Sequence, residues 1–402
     1  MAIKAPITPS VIGWARETAK MSLEEAAKKI GRPVSDIEAW EDGSLQPSMP
    51  QARKAAQIYK RPLAVFYLPE PPKGWQVLRD FRTLPVDEPR EYSPELTFMI
   101  RETVARQEWM REFLIEDGQE PLPFVGSASP GSDPEQLADS IRQTLGVTIE
   151  ELRSCQNRDE ALNLWIYKAE QIGVFVFRDS SVASIEARGF VVSDEYAPFV
   201  YLNSGDAKVA QIFTLVHELV HLWINEPGVS NLEARGAVVD ESTAAIETFC
   251  NRVSGFVMLE PSAFERQWKS RDKRKGIDET IENIASYFRV SREAVARRLL
   301  DNGVMSQKKY LSLRDQYREE WLAYREKEKE KQRKSEGGPS YYRILLNKNG
   351  KAYSRTILSA YYSGAVSGRE TSSLLNVKLN NLPKLAAEAA IFAGVHRGEV
   401  SP

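Results

Sequence analysis

The sequence has few of the residues that build disulfide scaffolds or histidine-rich metal sites. Its 402 residues include only two cysteines, Cys155 and Cys250, and three histidines. Two cysteines cannot make a disulfide framework, so a reducing compartment is the simpler setting. No apolar run reaches the length of a membrane span, and residues 1–20 lack the apolar core of a signal peptide. We therefore expect a cytoplasmic protein with no membrane partner.

The chain also lacks an excess of charge of either sign. It carries 54 Lys and Arg against 56 Asp and Glu, a formal net charge of -2. This balance gives no overall attraction to nucleic acid, so any DNA binding must come from a local patch. With 27% charged and 42% hydrophobic residues, the composition is that of a folded globular protein. A soft prior of roughly 150 residues per domain predicts about two to four domains.

Hydrophobic periodicity predicts an α+β fold that is mainly α. Three short segments rich in β-branched and aromatic residues, at 173–178, 188–192 and 198–203, predict a small sheet. Helical patterns are predicted at 8–68 (several short helices), 94–116, 134–145, 158–171, 207–224, 240–257, 278–300, 354–363, 369–376 and 383–394. Six prolines between 69 and 94 exclude regular helix there.

These patterns divide the chain into six predicted segments. They are a helical domain at 1–68, a proline-rich linker at 69–93, a mixed domain at 94–270, a helix-turn-helix-like segment at 271–324, a charged linker at 325–339 and a small helical unit at 340–402. The last unit is expected to open with a β-hairpin around residues 347–350, where Asn-Gly is a typical turn sequence.

Two of the three histidines lie in one motif, HELVH at residues 217–221. With so few histidines, the probability of this string arising at random is on the order of 0.001. The i, i+4 spacing puts His217 and His221 on one helix face, where both imidazoles reach a single Zn²⁺. Glu218 lies beside them and is suited to act as the general base toward a metal-activated water. Because the helix is apolar on nearly all sides, buried histidines without a ligand would be costly.

Such a site needs a third ligand, and several carboxylates are available. The candidates between residues 233 and 260 are Glu233, Asp240, Glu241, Glu247 and Glu260. Glu247 is favoured, because it lies in the middle of an apolar helical pattern, where a carboxylate needs a charged partner. His396 lies in another predicted unit and is disfavoured. Zn²⁺ is the expected cofactor, with Mn²⁺ as the alternative, since the ligand types alone do not select the metal.

These residues resemble the ImmA/IrrE family of intracellular metallopeptidases, which relieve repression by cutting a DNA-binding repressor. The resemblance rests on PFVYLNSGDAKVAQIFTLVHELVHLWINEPGVSN at 198–231 and IETFCNRVSGFVMLEP at 246–261, and covers roughly residues 170–265. It implies a minimal zincin-like domain in which His217, His221 and Glu247 bind zinc. Glu218 would activate water, and Asn251 would be a supporting residue.

Two positions depart from the family pattern. Val220 stands where many members have glycine, which affects helix packing more than chemistry. Cys250 stands where alanine is common, and a buried packing role is favoured over a place at the metal. Tyr201 and Arg188 are candidates for stabilising an oxyanion, but neither is assigned.

Residues 8–68 resemble a helix-turn-helix domain of the phage-repressor type, through SLEEAAKKIG, VSDIEAWEDG and Pro47. The expected recognition helix, from Pro33 to Asp42, carries four acids and no Lys or Arg. Groove binding requires neutralisation of phosphates, so DNA binding and protein docking or dimerisation both stay open.

Two later segments also resemble helix-turn-helix units. Residues 278–300 carry Arg289, Arg292, Arg297 and Arg298, a basic set that could bind a repressor, DNA or the catalytic domain itself. The C-terminal tail is similar to that of long family members that look like antitoxins paired with PIN-like ribonuclease toxins.

Two hypotheses follow. The favoured one is a zinc-dependent endopeptidase or regulator that cleaves or binds a cytoplasmic regulatory protein, such as a repressor or a toxin–antitoxin partner. The alternative is a non-cleaving antitoxin or transcriptional regulator that binds a toxin, DNA or both and keeps the HELVH site. Its support is the number of helix-turn-helix-like segments. Both hypotheses allow either a monomer or an oligomer.

Overall fold

A computed structural model of the chain describes residues 4–72, 79–82, 92–226, 228–231, 241–334 and 340–389. The fold is α+β and mainly α, as predicted. It divides into two compact units, one of Met1–Leu78 with Val86–Ala105 and one of Arg79–Pro85 with Arg106–Pro402. Among the described helices, none combines the length and the apolar character that crossing a bilayer requires.

The described helices, with their bounds, are α1 (Pro9–Thr18), α2 (Leu23–Ile30), α3 (Val34–Glu41), α4 (Met49–Ile58), α5 (Pro94–Glu116), α6 (Pro134–Leu145), α7 (Ile149–Ser154), α8 (Arg158–Gln171), α9 (Lys208–Trp223), α10 (Glu241–Met258), α11 (Pro261–Lys269), α12 (Ile277–Phe288), α13 (Arg292–Asp301), α14 (Gln307–Lys334), α15 (Tyr341–Asn349), α16 (Lys351–Tyr362), α17 (Gly368–Leu374) and α18 (Leu382–Glu388). Short 3₁₀ helices lie at Leu63–Tyr67 and Leu379–Asn381.

The first unit is built on α1 to α4, as the periodicity predicted. Ser22 caps α2 through the predicted capping box, because its hydroxyl accepts the Glu25 N–H at 3.2 Å and Glu25 accepts the Ser22 N–H at 3.0 Å. Gly31, with φ of 78°, ends that helix and turns the chain toward α3. Trp40 on α3 is buried in the core of the unit.

The acids of α3 are partly neutralised inside the first unit. Arg16 on α1 donates from Nε to Glu41 at 2.7 Å and from Nη2 at 2.9 Å. Arg32 donates to Asp36 at 2.8 Å. Two of the four acids counted from the sequence therefore have cationic partners within their own unit.

The second unit is organised around a five-stranded mixed sheet, in the order β1-β5-β3-β4-β2. The strands are β1 (Arg79–Arg82), β2 (Phe175–Asp179), β3 (Gly189–Val192), β4 (Phe199–Asn203) and β5 (Gly228–Asn231). β3 runs antiparallel to β4 and β5, whereas β2 pairs with β4 and β1 pairs with β5 in parallel. The three predicted strands are confirmed.

Two strands were not predicted. β5 follows the HELVH helix in a segment for which no strand was predicted, and β1 lies inside the predicted proline-rich linker. Each has only four residues. β1 pairs with β5, which is far away in sequence. A short strand of this kind depends on tertiary pairing rather than on its own pattern.

Helix α9 is the central element of the second unit. It packs on β3, β4, α8 and α10, and Phe213 is the only residue between Gln211 and Trp223 that is not buried. The second helix of the predicted pair, α10, lies against α9. This packing fixes the direction of the HELVH side chains.

The predicted helix-turn-helix-like segment is present as α12 and α13, with Arg289 in the left-handed conformation at the turn. Its basic residues are engaged inside the unit. Arg289 donates to the carbonyl of Cys155, and Arg298 donates to that of Leu259 at 2.8 Å. Arg292 pairs with Glu282 and Glu320, and Arg297 pairs with Asp301. Internal docking of the segment therefore accounts for much of this charge.

The predicted hairpin around residues 347–350 is wrong. The chain there forms α15 and α16, which are joined at Gly350 with φ of 86°. The buried Asn349 side chain donates to the carbonyl of Leu375 at 2.8 Å, and a Cβ at Gly350 would lie 2.7 Å from the Val176 carbonyl oxygen. Because α15 and α16 pack on β2, the Asn349–Gly350 pair joins these two helices instead of forming a hairpin turn.

The domain boundaries stay predictions, although the described part of the chain places helix α14 through residues 325–334 of the predicted charged linker. His396 and the end of the helix predicted at 383–394 lie outside the described residues.

We predict that Gly350→Ala destabilises the protein more than Gly364→Ala. Both glycines have positive φ, but a Cβ at Gly364 meets nothing within 4 Å. The control substitution, Gly364→Ala, should lower the free energy of unfolding by about 1–2 kcal/mol through backbone strain alone. Gly350→Ala should cost about 1–3 kcal/mol more, because the added methyl meets the backbone of Val176. Urea unfolding of both variants measures the difference, and equal losses would contradict the packing described here.

Candidate metal centre

Three side chains converge between α9 and α10. His217 and His221 lie one turn apart on α9, and their side chains are 0% exposed. Glu247 reaches them from the middle of α10, with its side chain 13% exposed. Within the described residues, these three form the cluster whose ligand atoms could hold a metal ion.

Three equal distances connect the ligand side chains, with each histidine facing a different oxygen of Glu247. His217 Nε2 lies 3.2 Å from Glu247 Oε2, and His221 Nε2 lies 3.2 Å from Glu247 Oε1. The two Nε2 atoms are themselves 3.2 Å apart. Ligands at about 2.0–2.1 Å from a tetrahedral zinc are about 3.3–3.4 Å from each other. The donor set therefore fits a tetrahedral metal ion with three protein ligands, which leaves the fourth coordination position for water or substrate.

The charges in the cluster put Glu247 and His221, but not His217, in the form that a metal requires. Burial raises the pKa of Glu247, but the two imidazoles outweigh it and lower that pKa to about 2. Burial lowers the pKa of His221. Burial also opposes the charge of His217, but the Glu247 carboxylate outweighs it and raises the pKa of His217. An ionised carboxylate and a neutral imidazole are thus already in the ligating state.

The predicted supporting residue lies at the same place. Asn251 follows Glu247 by one turn on α10, and its exposed side chain lies close enough to His217 to help raise the pKa of that imidazole. A contact of this kind orients the ligand ring, which is the usual task of residues just outside a metal site.

The general-base candidate, Glu218, is fully buried and lies against β3. A Cβ added at Gly189 would lie 3.0 Å from Glu218 Oε1 and 2.4 Å from Thr214 Cγ2. Only glycine leaves room here for the side chains of α9. Gly189 was missed in the sequence, where its one signal is a glycine at the start of a strand, which often marks close approach.

None of the other carboxylate candidates is placed at the metal cluster by the described residues. Glu260 caps α11, accepting the N–H groups of Ser262 at 3.0 Å and Ala263 at 2.8 Å. Glu233 and Asp240 lie outside the described residues, and of Glu241 only the backbone is described.

Cys250 is buried, and burial raises its pKa well above the ordinary thiol value. A neutral thiol of this kind suits the packing role expected for it.

The two oxyanion candidates have other contacts. The Tyr201 hydroxyl donates to the Asp179 carbonyl oxygen at 3.0 Å. Arg188 Nε lies 3.7 Å from Asp206 Oδ2. Neither contact involves a residue of the metal cluster, so these side chains have structural partners and no demonstrated place in the chemistry.

We predict that Glu247→Gln lowers zinc affinity at least tenfold, whereas Glu260→Gln leaves it unchanged. Glu247→Gln removes the anionic ligand between the two imidazoles. Glu260→Gln keeps a side-chain oxygen that can cap α11, and this cap is not part of the metal cluster. Competition with a chelator of known affinity, read together with metal content, measures both. Equal affinity in the two variants would rule out Glu247 as a ligand.

The comparisons with known proteins agree with this location. No curated protein matches the chain significantly. Residues 169–300 match a protein family, the IrrE N-terminal-like domain, Peptidase_M78. The matched segment contains α9 and α10 with His217, Glu218, His221 and Glu247, whereas α1 to α4 lie outside it. For this part of the chain, the resemblance to the ImmA/IrrE family is therefore confirmed by the family match.

Proposed function

We propose that the protein is a metal-dependent endopeptidase that cuts a regulatory protein in the cytoplasm. The observation that carries this proposal is the 3.2 Å convergence of His217, His221 and Glu247. It occurs within the segment that matches a peptidase family.

The chain supplies two kinds of chemistry at this site. When bound, Zn²⁺ would contribute Lewis acidity toward water and a peptide carbonyl. Glu218 follows His217 directly and takes the proton of the attacking water at its carboxylate, then delivers it to the leaving amine. Asn251 would help to orient the ring of His217, the supporting role that the family resemblance implies. Gly189 leaves the space in which Glu218 lies.

The proposed substrate is a repressor or a toxin–antitoxin partner, brought to the site by the flanking helices. The first unit contains α2 and α3 in helix-turn-helix order, which supports a recognition role. Because α3 carries acids, of which Asp36 and Glu41 pair internally, we favour protein docking over DNA binding for this unit.

A second candidate is a non-cleaving regulator or antitoxin that keeps the metal fold. The observation in its favour is that His217, Glu218 and His221 are all 0% exposed. A substrate carbonyl would have to reach atoms that water does not reach in this conformation. The two candidates differ in what Glu218 does, so one substitution distinguishes them.

We predict that Glu218→Gln keeps the metal and lowers the cleavage rate at least 100-fold, a loss within the range of about 10²–10⁴ for a general base. Glu150→Gln, an exposed position on α7, makes the same chemical change as a control. Each protein is co-expressed with the products of its neighbouring genes, and intact masses of co-purifying chains are measured. Fragments should appear with the unmodified and Glu150→Gln proteins only.

A full-length partner bound equally by all three proteins would instead favour the non-cleaving regulator. Metal content must be measured in the same samples, because a variant that loses the ion would lose cleavage for a different reason.

A further inference from the structure

A second polar site lies away from the metal cluster, in a cavity of about 120 Å³ between α8, β2, α15 and α16. Its lining includes Glu170, Arg178, Asn347, Lys351 and Arg355. None of the metal-cluster residues borders it. The proposed function assigns no role to any of these side chains.

Arg178 is the most informative member of the lining. It lies on β2, and burial lowers its pKa. Its Nη2 donates to Asn347 Oδ1 at 2.9 Å. Across the part of the chain that the structure describes, no carboxylate comes within ion-pair distance of this guanidinium. Arginine has five N–H donors, so a partly buried guanidinium with this one hydrogen bond keeps donors that can face a ligand in the cavity.

Two further cations line the same cavity from α16. Lys351 and Arg355 are one turn apart, so they project from the same face of the helix. Arg355 Nε donates to the Ala389 carbonyl oxygen at 3.0 Å. As far as the described residues extend, neither cation has an ion pair with an acid.

The only acid among the lining residues is already engaged by backbone groups. Glu170 on α8 accepts the N–H of Ala352 at 3.1 Å, in the first turn of α16. Burial raises the pKa of Glu170, so its negative charge is disfavoured compared with an exposed carboxylate. Three cations thus face one carboxylate, and the cavity has an excess of positive charge.

From these contacts we infer that the cavity binds a small oxyanion of the phosphate class. The planar guanidinium of Arg178 matches a phosphate or carboxylate oxygen pair, and Lys351 adds a point charge. Pockets for drug-sized ligands span about 300–1,000 Å³, so a cavity this small selects an ion rather than a nucleotide. The bound anion would join β2, which belongs to the family-matched segment, to the C-terminal helix α16.

Isothermal titration calorimetry of the full chain with inorganic phosphate tests this inference, at constant ionic strength set with chloride. We expect saturable binding at one site per chain. Arg178→Gln and Lys351→Gln should each weaken the affinity at least tenfold, since each removes a cation from the cavity. Arg369→Gln, an exposed position on α17, removes one charge elsewhere and should leave the affinity unchanged.

Two further measurements separate this site from the metal centre and from misfolding. Phosphate binding should persist in Glu247→Gln, which is a test independent of cleavage. Lys351 is exposed, so its substitution should leave the fold intact if Arg178→Gln unfolds. The inference is overturned if the unmodified protein shows no saturable binding at millimolar phosphate, or if Lys351→Gln binds phosphate as tightly as Arg369→Gln.

Discussion

Two imidazoles and a carboxylate meet at 3.2 Å inside the protein, and the surrounding structure holds them there. Three polar groups in a buried place are costly unless they pair with each other or with an ion. The cost is offset by a helix, α9, that is buried over most of its length against the sheet and α8. The crossing helix α10 then supplies Glu247, and Gly189 on β3 leaves room for Glu218.

The elements that could be predicted are those with strong local patterns. HELVH and its helix follow from i, i+4 spacing and apolar periodicity, and the β-branched segments predict β2, β3 and β4. Glu247 was favoured among several carboxylates by its apolar helical surroundings, and the resemblance implies the same residue. Its approach to the histidines is a tertiary property of α9 and α10, which local pattern does not contain. Strands β1 and β5 and the space at Gly189 depend on neighbours far apart in sequence, and local pattern does not contain them.

The Asn349–Gly350 pair shows how tertiary context changes a local signal. In isolation this dipeptide favours a hairpin turn. Here the Asn349 amide is tied to Leu375, and Gly350 lies against the backbone of Val176. Tertiary context also determines what the basic residues of α12 and α13 contact, among the roles that the sequence left open. The arginines of α12 and α13 formed a basic set in the sequence, yet Arg289 and Arg298 donate to backbone carbonyls of their own unit.

The close approach of the ligand atoms also makes the metal and a proton competitors for one space. Lone pairs of two Nε2 atoms and a carboxylate point at each other, so some cation must lie among them. Without metal, a proton on His217 can take that place, because the adjacent carboxylate raises the pKa of His217 against the effect of burial. Loading the ion therefore expels a proton, and acidification drives the exchange in the opposite direction.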